Sequence, residues 1–147
     1  MIMANPRMLF VYGTLMSTAS SSLGRGPRAR LDKASRVAGP AVAPGYLFDL
    51  GAYPGLVLSL PNSEGSGMGR VFGELRELAE PDDVFNWLDR YEGIRADAQE
   101  TAEYRRLVLQ VARLEKGGRE ISSPAWAYVY EGPLAGARLL PNGIWAD

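Results

Sequence analysis

MLFVYGTLM, residues 8–16, begins as a strand and stops abruptly. Met8 to Val11 are apolar and suit a buried strand. Tyr12-Gly13-Thr14-Leu15 then breaks the run with an aromatic, a glycine and a small hydroxyl residue. Glycine lets the backbone turn sharply and lets a ligand come close. Consecutive N–H groups in such a turn form a concavity suited to a carboxylate or a phosphate. On these residues alone, a plain structural turn is the commoner reading of the pattern.

Outward from that stretch, strand-like runs dominate. Arg7–Tyr12, Val37–Ala43, Tyr46–Leu50, Gly55–Leu60, Arg70–Leu78, Tyr104–Leu114 and Ala125–Tyr130 are each bounded by turn residues or alternate in polarity. Val71, Gly73 and Leu75 share one face, as do Leu107, Leu109 and Val111, and as do Trp126, Tyr128 and Tyr130. PNSEGSGMG (61–69) reads as a hairpin connector. One segment has the helical period: in EPDDVFNWLDRYEG (80–93), Val84, Trp87, Leu88 and Tyr91 form an apolar stripe. Pro81 suits the first helical position, Asp82 and Asp83 suit the positive end, and Gly93 is the stop. A second helix within Ser17–Asp32 is made doubtful by its glycines and Pro27. Many short strands, Gly and Pro at the corners and one firm helix predict an α+β fold, a small mixed β-barrel with flanking helices. The 147 residues suit a single domain spanning 1–147.

Composition narrows the chemistry. A net charge of -1, with 46% apolar and 22% charged residues, is ordinary for a globular protein and offers no general basic excess for nucleic acid. The arginines of GRGPRAR (24–30) read as solvated loop. The first residues lack the apolar core of a signal peptide, and no run approaches a membrane span, so the expected location is cytoplasmic, with neither nucleic acid nor membrane as partner. There is no cysteine and no histidine, which removes thiolate chemistry and any Ser–His–Asp or Cys–His arrangement. No metal or other cofactor is expected. The two lysines, Lys33 and Lys116, both read as exposed. Acid–base work then falls to Glu, Asp or Tyr.

Glu92 stands out. It follows Tyr91 at the end of the helical segment, beside the apolar stripe. A helix C-terminus disfavours negative charge, and partial burial would push the carboxyl pKa the same way, toward the range of a useful base. Taken alone, a solvated end-of-helix residue is the commoner reading of Glu92. In Tyr104-Arg105-Arg106 the two arginines point to opposite faces, and an inward one would need a carboxylate partner.

The ordered set Tyr12-Gly13-Thr14-Leu15, Gly45 to Pro54, Val71-Phe72-Gly73-Glu74-Leu75, Leu88-Asp89-Arg90-Tyr91-Glu92-Gly93, Tyr104-Arg105-Arg106 and Ala125 to Tyr130 resembles the γ-glutamylcyclotransferase-like family in its avirulence-induced-gene-like branch, which includes γ-glutamylamine cyclotransferases. The resemblance runs from about Met8 to Trp145. It implies a small barrel with flanking helices and a cavity at one end. It implies that the Tyr12–Leu15 loop offers backbone N–H groups to the α-carboxylate of a γ-glutamyl group, and that Glu92 is the acid/base. Tyr12, Gly13, Thr14, Leu15, Tyr53, Tyr104 and Tyr128 are the candidate substrate-binding residues, for a small-molecule γ-glutamyl amide that closes to 5-oxoproline with release of an amine. Such a reaction carries its nucleophile in the substrate and needs no Cys, His or metal. The departures are Met16 to Ser22, where the family often has a glycine, and the acidic interval 94–103, expected to be a loop at the cavity mouth. A different reaction on a γ-glutamyl compound, or a module that only binds a small carboxylate, are the alternatives. The protein is expected to be a monomer or homodimer.

Overall fold

The structure is a computed structural model that describes residues 6–20, 22–60, 69–94 and 102–146. The connector 61–68 and most of the acidic interval 94–103 therefore lie outside the described residues. The chain order is β1 (Met8–Val11), α1 (Arg25–Ala34), β2 (Ser35–Pro44), β3 (Tyr46–Asp49), β4 (Pro54–Val57), β5 (Arg70–Leu78), α2 (Pro81–Tyr91), β6 (Tyr104–Leu114), β7 (Glu120–Tyr130) and β8 (Arg138–Leu140).

β1, β5, β2, β6 and β7 are hydrogen-bonded in that order, and β7 returns to β1 through a parallel pairing of Leu9 with Trp126. This closes a five-stranded barrel. β4, β3 and β8 continue from β7 as an extension. The longest pairing is the β6–β7 hairpin, in register from Tyr104 opposite Tyr130 to Leu114 opposite Glu120. A bulge between Val37 and Gly39 bends β2 around the barrel.

Alternation along the strands sorts side chains into two apolar layers. Phe10, Ala41, Ala43, Val71, Leu75, Val111, Ala125, Ala127 and Val129 fill one cluster, the barrel interior. Leu9, Val11, Leu78, Tyr104, Tyr128 and Tyr130 face the other way and meet Leu31 of α1 and Val84, Phe85 and Leu88 of α2. Small residues line the interior because five strands leave little room there. Gly73 is the tightest case: a Cβ would stand 2.2 Å from the Val11 carbonyl oxygen and 2.9 Å from the Phe10 ring.

The strand expectations hold within a few residues, with two extensions. β7 begins at Glu120 rather than Ala125, and Pro124 is tolerated because β1 joins that edge only at Trp126. β8 is three residues long, too short for any periodicity to show. Two expectations are corrected. The doubtful second helix exists as α1, with Pro27 in its first turn, where a missing N–H breaks no helical bond. The buried side of α2 is Val84, Phe85 and Leu88; Tyr91 is 41% exposed, and half-buried Trp87 lies under the Arg30 guanidinium, 4.5 Å from its ring centre. Among the described residues no helix is long and apolar enough to cross a membrane.

Gly73→Ala tests the interior. The added methyl meets backbone rather than a flexible side chain, so stability should fall by about 2 kcal/mol or more in urea unfolding. A change of only a few tenths would mean β1 does not close on β5 as described.

Candidate active site

The site is assembled where three elements converge: the turn after β1, the beginning of β4 and the end of α2. β7 is the common support. Its one edge pairs with β1 at Trp126 and with β4 at Val129. Between these contacts β1 departs and β4 has yet to begin. Tyr12 fills the gap: its hydroxyl donates to the Tyr128 carbonyl at 2.6 Å and accepts the Leu56 N–H at 3.2 Å.

The turn itself is tightly held. The Met16 N–H donates to the Gly13 carbonyl at 3.0 Å, which uses neither of the N–H groups of the central residues Thr14 and Leu15. Glycine is demanded at 13 by Pro54, whose Cγ would lie 2.7 Å from an added Cβ. On the other side stands the start of α1. Gly24 has φ 81, and a Cβ there would come within 2.9 Å of Thr14 Oγ1. Arg28 of α1 is buried and donates to the Thr14 carbonyl at 2.7 Å. This corrects the solvated-loop reading of GRGPRAR for that residue. Just beyond the turn, Ser17 donates its N–H (2.6 Å) and its hydroxyl (2.8 Å) to the buried Glu74 carboxylate. Glu74 pairs with buried Arg76 at 3.1 Å, and Arg76 with Asp32 of α1 at 2.5 Å.

α2 delivers Glu92. The Gly93 N–H donates to the Arg90 carbonyl (3.0 Å) and the Ile94 N–H to the Asp89 carbonyl (2.8 Å), with Gly93 at φ 83. These paired bonds are a Schellman closure and make Glu92 the cap residue. Burial first, and then the negative charge of Asp89, push the Glu92 carboxyl up to about 7. Asp89 itself is fully engaged. It takes two bonds from Arg106 at 2.9 and 3.1 Å and one from the Tyr128 hydroxyl at 2.6 Å. The Arg106 guanidinium also lies over Phe85 and Trp126, 3.9 and 4.4 Å from their ring centres. Arg106 is thus the arginine that needed a carboxylate, and exposed Arg105 pairs with Glu131 instead.

The cavity bounded by these elements has a volume of about 420 Å³. Tyr12, Gly13, Thr14, Leu15, Tyr53, Glu92, Tyr104 and Tyr128 all line it. Pro54, Tyr91 and Glu103 are also part of the wall. The Tyr12, Tyr104 and Tyr128 hydroxyls are committed to protein acceptors, Tyr104 to the Pro54 carbonyl at 2.9 Å. They present rings, not free hydroxyls, to a ligand. Burial raises all three well above the ordinary tyrosine range; the Asp89 hydrogen bond and charge add to this at Tyr128, and the Glu92 charge adds at each. Tyr91 of α2 and Thr14 of the turn line the same cavity. Sequence reasoning missed Arg28, Tyr91 and Asp89. Only Asp89 carried a signal, one helical turn before Glu92.

The fold agrees with known proteins. The profile of the family "Gamma-glutamyl cyclotransferase, AIG2-like" matches residues 9–147. The solution structure of protein ytfP from Escherichia coli is 26% identical, with TM-score 0.56, over 95% of this chain and 96% of that one. An AIG2-like protein from Mus musculus is 22% identical, with TM-score 0.56, over 84% and 76%. An uncharacterized protein from Pyrococcus horikoshii is 17% identical, with TM-score 0.54, over 93% and 87%. No curated protein matches significantly. The chain belongs to the gamma-glutamyl cyclotransferase, AIG2-like family, and a cyclotransferase-type function goes with that membership.

Proposed function

We propose that the protein converts a γ-glutamyl amide into 5-oxoproline and a free amine, with Glu92 as general base and then general acid. The observation that carries this reading is a single one. A carboxyl with its pKa raised to about 7 shares a cavity with a turn whose central N–H groups have no partner among the described residues.

The substrate's α-carboxylate sits on the N–H groups of Gly13, Thr14 and Leu15. Its α-ammonium gives a proton to the Glu92 carboxylate. The freed amine attacks the γ-carbonyl carbon, and a C–N bond closes the five-membered ring. The original C–N bond of the amide then breaks, and the proton held by Glu92 passes to the departing nitrogen. The ring nitrogen sheds its second hydrogen to the released amine, which departs as an ammonium, and Glu92 ends ionised as it began. A group titrating near the operating pH suits both transfers. The tyrosine rings hold the extended substrate so that ring closure is intramolecular and pre-aligned. A cavity of about 420 Å³ is in the range for a small metabolite.

Release of 5-oxoproline from a panel of γ-glutamyl amides, read by mass spectrometry, tests the reaction. Glu92→Gln should lower turnover by roughly 10²–10⁴-fold; a variant as active as the parent would remove Glu92 from its role. If the parent releases no 5-oxoproline yet is stabilised by glutamate analogues, the site holds a carboxylate without this chemistry.

The pH profile follows from the same carboxyl. Below about 7 the carboxylate fraction falls tenfold per unit, so kcat/KM should climb with pH and level off above about 7. A profile that levels off near 4.5, the ordinary glutamate value, would contradict a perturbed Glu92.

Glu92→Gln should also be folded. Glu92 binds its proton more tightly in the native state than in the unfolded chain, so native stability declines as pH rises between about 4.5 and 7. Removing the charge should therefore raise stability at pH 8 by on the order of 1–3 kcal/mol, and change it little at pH 4. Thermal unfolding at the two pH values measures this; equal effects at both would show that Glu92 is not strained by ionisation.

A further inference from the structure

Arg28 is 9% exposed, and its Nη1 donates to the Thr14 carbonyl at 2.7 Å. Burying a guanidinium is costly unless its partners repay the lost hydration. Its position adds to that cost. Arg28 falls at the start of α1, where the helix dipole disfavours a cation. A cation kept in such a place does something that an apolar residue of the same size would not.

Its acceptor identifies the task. The Thr14 carbonyl and the Leu15 N–H belong to one peptide unit. A charged donor on the carbonyl draws electron density along the amide and makes the N–H at its other end a stronger donor. The same bond holds the plane of that peptide in place. Thr14 is itself buried, and Tyr91 lines the cavity with it. A side chain of α1 thus fixes that peptide unit of the turn and places a positive charge beside it.

We propose that Arg28 is a positioning residue for the ligand's carboxylate, acting through the Thr14–Leu15 peptide rather than by direct contact. This rests on the reading that the turn after β1 holds an α-carboxylate. Arg28 then supplies carboxylate selectivity to a cradle made only of backbone. The selectivity is absent from Tyr12-Gly13-Thr14-Leu15 taken alone and is added by a helix that packs on it.

The test compares binding of L-glutamine and L-glutaminamide, which differ only in replacement of the α-carboxylate by a neutral amide. The parent protein should prefer L-glutamine. In Arg28→Gln that preference should fall by about tenfold, while L-glutaminamide binds nearly as before. Arg28→Lys, which keeps a charge but not the planar fork, should fall in between. If Arg28→Gln does not fold, Arg28→Lys decides alone: a reduced preference supports the proposal and an unchanged one overturns it. Equal weakening of both ligands also overturns it, because Arg28 would then be merely structural. The Leu15 amide proton gives a second readout and should shift upfield in either variant more than the other amides of the turn. A parent that shows no preference for L-glutamine would instead count against the carboxylate cradle itself.

Discussion

One strand edge is shared by two others, and the rest of the molecule follows from how that is managed. β6 occupies one edge of β7 along its whole length, so β1 and β4 must divide the other edge between them. A seam is unavoidable, and a buried seam leaves backbone groups without strand partners. The Tyr12 hydroxyl is both donor and acceptor and satisfies one group on each side of it. Because β1 turns away at this point, the turn 13–16 stands over the seam with its central N–H groups unused. The closure of the barrel and the opening of a site are one event.

The two faces of the barrel wall then take different roles. The interior is dry, small-sided and closely packed, with Gly73 where no side chain fits. The outer face carries Tyr104, Tyr128, Tyr130 and the charges, covered by α1 and α2. Charges buried there are paired with others: Arg106 with Asp89, and Arg76 with both Glu74 and Asp32. Asp89 works in two directions. Its carboxylate takes the bonds from Arg106 and Tyr128, and its charge makes a second anion nearby, Glu92, harder to form. Burial first, and this neighbouring charge second, lift the Glu92 carboxyl to about 7.

Much of this was legible in the chain before any coordinates. Period-2 runs located most strands, because a barrel wall has two faces and the residues must alternate with it. The 80–93 helix announced both ends, through Pro81 and Gly93, and thereby placed Glu92 at a C-cap. β8 escaped because three residues make no period. α1 was doubtful because local propensity counts its glycines and proline as breakers, while tertiary packing of Leu31 and Arg28 outweighs them. Tyr91 belongs to the right helical stripe, yet it faces the cavity, because the apolar layer ends one turn earlier.

The sequence by itself determined the class of fold, the identity of the carboxyl at the end of α2 and the turn that faces it. These depend on local periodicity, on the stereochemistry of Gly and Pro and on the order of short motifs, all properties of neighbours in the chain. Only the tertiary structure decided that Arg28, Glu74 and Asp89 belong with them. Arg28 stands 14 residues from Thr14, and Glu74 57 residues from Ser17. Hydrogen bonding and electrostatic strength fall off with distance in space, not along the chain, so an arginine that reads as solvent-exposed becomes a buried donor once a helix folds back onto a turn.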